Sequence, residues 1–289
     1  MLRAGSVSKA SRRLARVPTS AFLLALGAAG FHALWNLLLA RARDPEAATA
    51  VALVVAAVAF APVAVLTWDV DREAWPWIAA SAGLELVYFV LLAAAYRRAE
   101  FGLVYPLARG LAPVLVLGVG IVALGTDPTP GQALGVGVIA VGVLLVRGFH
   151  GADARGTAFA VGIAGCIAAY TLVDKEGMRH ATPLPYLEVV LVGPALAYAG
   201  AIAAVKGRDA LRREVALAPA VAGIIMFGSF ALTLAALGRA PAAPVAALRE
   251  TGVVWAALLA VLFLRERVSP GRLAGAVVVA AGIAILALA

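Results

Sequence analysis

Long apolar runs separated by short polar breaks fill almost the whole sequence. Most of these runs reach the roughly 20 apolar residues that a helix needs to cross a bilayer. Five runs precede the polar stretch 147–155 and five follow it. The predicted helices cover residues 20–40, 48–67, 74–96, 102–124, 130–146, 156–174, 184–205, 215–237, 242–264 and 270–288. The pattern therefore predicts an all-α integral membrane protein with about ten transmembrane helices.

The composition supports this interpretation and excludes several other classes of protein. Hydrophobic residues make up 63% of the chain and charged residues only 14%, far from the balance of a soluble domain. The net charge of +8 comes from basic residues scattered among loop ends, without the aromatic platform of a nucleic-acid binder. Cys166 is the single cysteine, so an intramolecular disulfide or a zinc site built on several thiolates is excluded. We expect no cofactor and no metal ion.

A basic arm, residues 1–19, precedes the first apolar run and resembles the start of a secretory signal. The run continues past Trp35 and Asn36 to Leu39, which is too long for the 7 to 15 apolar residues of such a signal. We therefore interpret it as a first transmembrane helix.

The two halves of the chain match each other. Shifting residues 99–146 by 140 positions places them on residues 239–286 without a gap. The matched pairs include Arg109 with Arg249, Pro130-Gly131 with Pro270-Gly271, Gly135 with Gly275 and Gly142 with Gly282. The sequence thus predicts a first five-helix repeat at 20–146, a connecting loop at 147–155 and a second repeat at 156–289. Because each repeat has an odd number of helices, the second is inverted in the membrane, as in many secondary transporters.

Three stretches resemble the drug/metabolite transporter superfamily, specifically its ten-helix EamA-type members. They are residues 247–286, with a charged turn at Glu266 and a helix beginning at Pro270, HALWNLLLARA in the first helix and AAYTLVDKEG in the sixth. The first repeat has Thr126 where the second has Glu266, so the turn glutamate occurs once. The resemblance implies a secondary transporter that works by alternating access, in the cytoplasmic membrane of a prokaryote. Superfamily substrates range from amino acids to sugar phosphates, nucleotide sugars, cations and drugs, so the fold does not define the substrate.

Ionisable side chains inside predicted spans are the main candidates for function, since burial in a membrane is costly unless a cavity or partner accommodates the charge. Arg109 and Arg249 occupy equivalent places in the fourth and ninth helices, and we expect them to bind a carboxylate or phosphate. The alternatives are structural ion pairs and snorkelling to the interface.

Glu85 and Glu250 are the candidate proton carriers or ion-pair partners of these arginines. Glu85 lies near the middle of the third predicted helix, and Glu250 is the neighbour of Arg249. An ion pair between Glu85 and either arginine is the alternative to proton coupling. Glu188, close to Pro183 and Pro185, is expected at the membrane interface.

Polar and aromatic residues on the two repeat-related helices are further candidates for a substrate cavity. They are His32, Trp35 and Asn36 in the first helix and Tyr170 in the sixth, with interhelical hydrogen bonding as the alternative. Pro106 and Pro113 are expected to interrupt helix four, and Pro244 is expected to open helix nine together with Pro241. We expect these prolines to lie beside the binding region and to contribute to gating.

The expected partners are a small-molecule substrate, the lipid bilayer and protons as a candidate coupling ion, with the chain acting as a monomer or homodimer and without nucleic acid. The favoured function is transport of a small, anionic metabolite such as an amino acid or phosphorylated compound. The alternatives within transport are a drug or cation exporter and a lipid-linked sugar flippase. An intramembrane enzyme is disfavoured because no catalytic constellation is present in the sequence, and an accessory membrane protein has no use for an inverted repeat.

Overall fold

Ten main helices, in the predicted order, form most of the described part of the chain. The structure is a computed structural model that describes residues 17–98, 101–147, 154–252, 254–255, 258 and 270–289. The helices are α1 Thr19–Ala40, α2 Pro45–Leu66, α3 Trp75–Arg98, α4 Phe101–Leu124, α5 Pro130–Arg147, α6 Ala154–Gly177, α7 Pro183–Lys206, α8 Leu217–Leu237, α9 Ala242–Glu250 and α10 Pro270–Leu288. A 3₁₀ turn, Arg72–Ala74, precedes α3, and a short helix, Arg208–Arg213, follows α7.

The predicted helix bounds agree with the structure within about three residues, except at the end of α9. Proline at the first position begins α2, α5, α7 and α10, where its missing N–H costs no hydrogen bond. Asp44 caps α2 by accepting hydrogen bonds from the backbone N–H groups of Glu46 and Ala47, both at 3.2 Å. Arm residues 1–16, loop residues 148–153 and Glu266 lie outside the described residues.

Seven of the described helices are long and apolar enough to cross a membrane, and α5 and α10 are shorter apolar helices. Many large apolar side chains face outward, including Leu66 at 85% exposure and Val122 at 88%. Such a surface belongs in lipid, because a soluble protein rarely exposes large apolar patches. The chain is an integral, multi-pass membrane protein.

The helix contacts repeat with the two halves exchanged. Helix α1 packs on α8 and α9, and its counterpart α6 packs on α3 and α4. Helix α2 packs on its counterpart α7, and α5 packs on α10 in the largest helix–helix contact. The two five-helix units are therefore related as inverted repeats, and each buries its helices mainly against the other unit.

Glycines allow the close approach of α5 and α10. A Cβ on Gly142 would lie 3.0 Å from the carbonyl oxygen of Gly275, and one on Gly282 would lie 3.1 Å from that of Gly135. The glycines that the repeat places on both helices thus act in packing, as small residues commonly do between membrane helices.

The two membrane sides differ in how their connections are joined. On the side that we call side one, connections 67–71 and 178–182 pair through their backbones: Asp71 N–H donates to the His180 carbonyl at 2.9 Å, and Thr182 N–H to that of Asp69 at 3.0 Å. On the opposite side, side two, Lys206 at the end of α7 bonds to the carboxylate of Asp44 at 2.8 Å. Helices α2 and α7 are thus linked through the backbone of the adjoining connections on side one and through side chains on side two.

The expected interruption of α4 at Pro106 and Pro113 is not present. Helix α4 is helical from Phe101 to Leu124 through both prolines, and Pro244 lies in the first turn of α9. Each proline in α4 removes one backbone hydrogen bond, but packing against α5, α6 and α9 keeps the segment helical.

The interruption lies instead directly after Glu250. Thr251 forms a turn in which both its N–H, at 3.2 Å, and its hydroxyl, at 2.6 Å, donate to the carbonyl of Leu248. Helix resumes at Gly252, where a Cβ would lie 3.0 Å from the carbonyl oxygen of Ala29. A hydroxyl that competes for the backbone carbonyl, followed by glycine, explains the break.

Candidate functional site

A cavity of about 810 Å³ lies between the two repeats. Side chains from α1, α2, α3 and α4 of the first repeat and from α6, α7, α8 and α9 of the second line it. Asp44, Glu46 and Lys206 lie at its mouth on side two, whereas connections 67–71 and 178–182 on side one are not among its lining residues. Among the described residues, the cavity therefore reaches side two and ends within the membrane on the way to side one.

Arg109 is held in a buried hydrogen-bonded cluster. Its Nε lies 2.7 Å from Oε2 of Glu250 on α9, and the two side chains are 9% and 3% exposed. Its Nη2 lies 2.7 Å from Nε2 of His32 on α1. A guanidinium has only donors, so His32 Nε2 accepts and the neutral ring carries its proton on Nδ1. This cluster links α1, α4 and α9 and compensates the charge of Arg109.

Arg249 has a different environment, although the repeat makes it equivalent to Arg109. It is 4% exposed, its Nη1 donates to the hydroxyl of Tyr170 at 3.3 Å, and its guanidinium lies 4.8 Å from the ring centre of Phe230. Its Nε has no hydrogen-bond partner, and no carboxylate lies within ion-pairing distance, among the described residues. Arg249 is therefore a buried cation at the cavity wall whose charge no ion pair compensates.

Neighbouring positions on α9 explain why Glu250 pairs with Arg109 and not with Arg249. Consecutive residues of a helix project about 100° apart and do not face each other. Glu250 therefore points toward α4, while Arg249 points toward Tyr170 on α6.

Glu85 is a second ionisable side chain of the cavity that forms no ion pair with a described residue. It lies in the middle of α3, is 7% exposed and lines the cavity, and no hydrogen bond or ion pair joins it to another described residue. Asp174 and Arg249 are close enough for their charges to act on it. The cavity thus presents one carboxyl and one guanidinium, both free to meet a ligand.

Aromatic rings form much of the remaining wall. Trp35 packs edge-on against His32 with ring centres 4.9 Å apart, and Tyr88 meets Tyr170 at 6.4 Å. Phe89 and Phe230 line the same cavity. Such a lining suits a ligand with an apolar or aromatic part beside its charged groups.

The cavity mouth is bounded by a charged clasp between the repeats. Lys206 Nζ lies 2.8 Å from Asp44 Oδ1 and 2.6 Å from Glu46 Oε2, and Glu214 Oε1 accepts from the Asp44 N–H at 3.1 Å. The hydrogen bond from Lys206 holds the pKa of Asp44 below its usual value. The clasp thus ties the α1–α2 turn to the end of α7.

The structure brings most of the predicted site residues together. His32, Trp35, Asn36, Glu85, Arg109, Tyr170, Arg249 and Glu250 all line the cavity. Asn36 also donates to the carbonyl of His32 at 2.7 Å, so part of its hydrogen-bonding capacity serves its own helix. Pro113 and Pro244 are not among the lining residues, and the side chain of Pro106 lies outside the described residues.

Sequence reasoning missed several residues of the site. Phe230 is a cavity residue whose aromatic character is common in membrane helices, so no sequence signal distinguishes it. Glu188, expected at the interface, is 7% exposed with one carboxyl oxygen unbonded among the described residues, and it does not line the cavity. The pairing of connections 67–71 and 178–182 had no sequence signal either.

Comparisons with known proteins agree with this architecture. The EamA-like transporter family matches residues 19–148 and, a second time, residues 154–288. A solved structure titled only "Crystal structure of protein" is 17% identical, covers 93% of this chain and 98% of its own, and superposes with a TM-score of 0.73. No curated protein sequence matches the chain.

The fold and the central cavity define a membrane transporter of the drug/metabolite transporter superfamily. Because the family matches both halves of the chain, the protein belongs to the EamA-like transporter family.

Proposed function

We propose that the protein is a secondary active transporter that carries a small zwitterionic metabolite, such as an amino acid with an apolar side chain, by alternating access. The inverted repeats support alternating access, because two such units can rock around a fixed site near the middle of the membrane. Of the described connections between helices, those on side two border the cavity and those on side one do not. A cavity that reaches one side in this way corresponds to one end of that cycle.

The guanidinium of Arg249, which no described carboxylate meets in an ion pair, is the observation that carries the proposal. A buried cation without an ion pair is costly unless a ligand anion compensates it. The fork of a guanidinium matches the two oxygens of a carboxylate, and Tyr170 beside it offers a hydroxyl. Arg109 is not available in the same way, because Glu250 compensates its charge.

Glu85 favours a zwitterion over a phosphorylated compound. With Arg109 and Glu250 paired, the remaining charged groups of the inner cavity among the described residues are one cation, Arg249, and one carboxyl, Glu85. A phosphate dianion would leave negative charge in excess there. An amino acid places its carboxylate on Arg249, its ammonium on Glu85 and its side chain against the aromatic wall.

A drug or cation exporter is the second candidate, and Glu85 is the observation that favours it. A cavity carboxyl surrounded by rings such as Tyr88 and Phe89 also suits a lipophilic cation. The two functions differ in the role of Arg249, which a cation carrier does not need.

Three matched probes separate these functions in proteoliposomes: L-phenylalanine, 3-phenylpropanoate without the amino group, and phenethylamine without the carboxylate. The proposal expects that L-phenylalanine is taken up alone or in strong preference to the other two probes. This uptake should be lost in Arg249→Gln and in Glu85→Gln. Asp209→Asn, an exposed carboxylate on side two, is the control and should transport as the wild type does.

Transport of phenethylamine with no loss in Arg249→Gln would establish the cation exporter and overturn the zwitterion proposal. Transport of 3-phenylpropanoate with no loss in Glu85→Gln would define a simple anion carrier instead. Absence of uptake for all three probes by folded wild-type protein would also contradict the proposal.

A further inference from the structure

A second buried cluster of polar side chains lies between the cavity and side one. The hydroxyl of Tyr186 on α7 donates to Oδ1 of Asp174 on α6 at 3.0 Å. The side chain of Ser81 on α3 is near enough to act on both, although its hydroxyl forms no hydrogen bond to another described residue. Ser81 and Tyr186 are 0% exposed and Asp174 is 8% exposed. None of the three lines the cavity, so the substrate site does not account for them.

The cluster continues the polar surface of the cavity along two helices. Ser81 precedes Glu85 by four residues on α3, and Asp174 follows Tyr170 by four residues on α6. Residues four apart lie on one helix face. Glu85 and Tyr170 line the cavity, so each helix carries one polar group in the cavity and one below it, nearer to side one.

The positions of these polar groups along their helices give their depth in the membrane. Glu85 lies about 15 Å along α3 from the end at side one, at a rise of about 1.5 Å per residue. Asp174 lies about 5 Å from the end of α6, and Tyr186 about 5 Å from the start of α7, at the same side. The groups therefore span most of the distance from mid-membrane to the side that the cavity does not reach.

Charged and hydrogen-bonding groups from three neighbouring helices face Asp174. They are Glu85 and Ser81 from α3, Tyr186 from α7 and Arg249 from α9. Lys175, the next residue of α6, points elsewhere and donates to the carbonyl of Leu237 at 2.6 Å. Asp174 thus has a hydroxyl donor but no ion-pair partner among the described residues, and a carboxyl in this setting can hold a proton or release it.

We propose that Asp174, with Tyr186 and Ser81, is a proton relay that exchanges protons between Glu85 and side one while the cavity is open to side two. A proton that enters from side one binds a carboxylate oxygen of Asp174 and passes through the intervening hydroxyls to Glu85, which releases it to the cavity when the substrate ammonium binds there. The reverse direction uses the same groups. The proposal rests on the proposed function in that Glu85 faces the substrate.

Gly177 explains how Tyr186 reaches Asp174. A Cβ on Gly177 would lie 2.5 Å from Cε2 of the Tyr186 ring and 2.6 Å from its hydroxyl oxygen. Glycine at this place, three residues after Asp174, therefore leaves the room in which the hydroxyl meets the carboxylate.

Proteoliposomes with a trapped pH-sensitive dye test the relay. Two readouts are compared: exchange of labelled L-phenylalanine at equal concentrations on both sides, and the pH change that accompanies its net movement. Asp174→Asn and Tyr186→Phe should retain exchange and lose most of the proton movement, at least tenfold for Asp174→Asn. Glu188→Gln is the control, because it removes a buried carboxyl of α7 that is not part of the relay. It should keep both the exchange and the proton movement. An unchanged ratio of protons to substrate in folded Asp174→Asn would overturn the proposal.

A measurement without substrate keeps the relay distinguishable from the proposed function. Infrared titration of the purified protein in lipid nanodiscs reports protonated carboxyl groups directly. The relay predicts a titrating carboxyl band that is absent in Asp174→Asn and whose midpoint moves in Glu85→Gln. A spectrum unchanged by Asp174→Asn would overturn the relay, even if L-phenylalanine is transported. The expected band in a protein that moves none of the probes would support the relay and contradict only the zwitterion substrate. Tyr186→Phe, which keeps the carboxyl, serves where Asp174→Asn does not fold.

Discussion

Arg109 and Arg249 occupy equivalent positions in two copies of one unit, yet their surroundings differ. Arg109 is bonded to Glu250 and His32, each at 2.7 Å, whereas Arg249 meets a phenol, an aromatic ring and the cavity. The first repeat has Gly110 where the second has Glu250, so only one copy supplies a carboxylate beside its arginine. A duplicated position can thus hold the structure together in one repeat and face a ligand in the other.

Removal of Arg109 should have the largest effect on folding. Arg109→Gln removes the ion-pair partner of the buried Glu250 carboxylate, and removal of one partner of a buried pair costs about 3–5 kcal/mol. We expect most of the folded yield to be lost, measured by size-exclusion chromatography and thermal unfolding in detergent. The double variant Arg109→Gln/Glu250→Gln should recover much of it. A single variant as stable as the wild type would show that the pair contributes little.

Removal of Arg249 should affect the ligand and not the fold. Arg249→Gln removes a buried charge that forms no ion pair with a described residue, so the unfolding temperature should stay near that of the wild type or rise. A hydrogen bond to a charged group contributes about 1.5–3 kcal/mol, so binding of L-phenylalanine should weaken at least about tenfold. Isothermal titration measures this loss. Arg249→Lys keeps the charge but not the fork and should bind with intermediate affinity.

His32 should have a smaller effect that depends on its hydrogen-bond acceptor. His32→Ala removes the acceptor that faces Arg109 Nη2 and leaves a buried donor unbonded, at a cost of about 1–3 kcal/mol. His32→Gln can offer an amide oxygen and should be closer to the wild type. Thermal unfolding of the two variants compares these cases, and equal losses would indicate that ring packing against Trp35 matters more than the acceptor.

The clasp at the cavity mouth should show the smallest effect and a defined pH dependence. Lys206 lowers the pKa of Asp44 in the folded protein, so the contribution of the pair to stability is present above the ordinary aspartate pKa and is lost as pH falls through the lower, folded value. Because both groups are partly exposed, we expect less than about 1 kcal/mol. The difference in unfolding temperature between wild type and Asp44→Asn should therefore disappear in acid, and a difference that grows there would contradict the clasp.

Much of the fold could be predicted from sequence, because lipid leaves few alternatives to a helix. Apolar runs and the prolines that begin helices set the bounds of α1 to α8 and α10 closely. The break after Glu250 was missed, because a threonine hydroxyl bonded to Leu248 is a local competition that no apolar pattern reveals.

The candidate site was predictable in its members and not in its pairing. Charge inside a membrane span is rare enough to single out Glu85, Arg109, Arg249 and Glu250, and all four line the cavity. Which arginine faces Glu250 depends on the packing of α4 against α9, a contact between distant parts of the chain. Asp174 is charged too, but its position at the end of α6 does not indicate that Tyr186 donates a hydrogen bond to it.

The most direct test of the account is the unfolding temperature of purified Arg249→Gln and wild-type protein with and without L-phenylalanine. The account predicts that the ligand raises the unfolding temperature of the wild type and leaves that of the variant unchanged, while the two proteins without ligand unfold at similar temperatures. An equal rise in both proteins would contradict it, because the guanidinium of Arg249 would then have no part in binding.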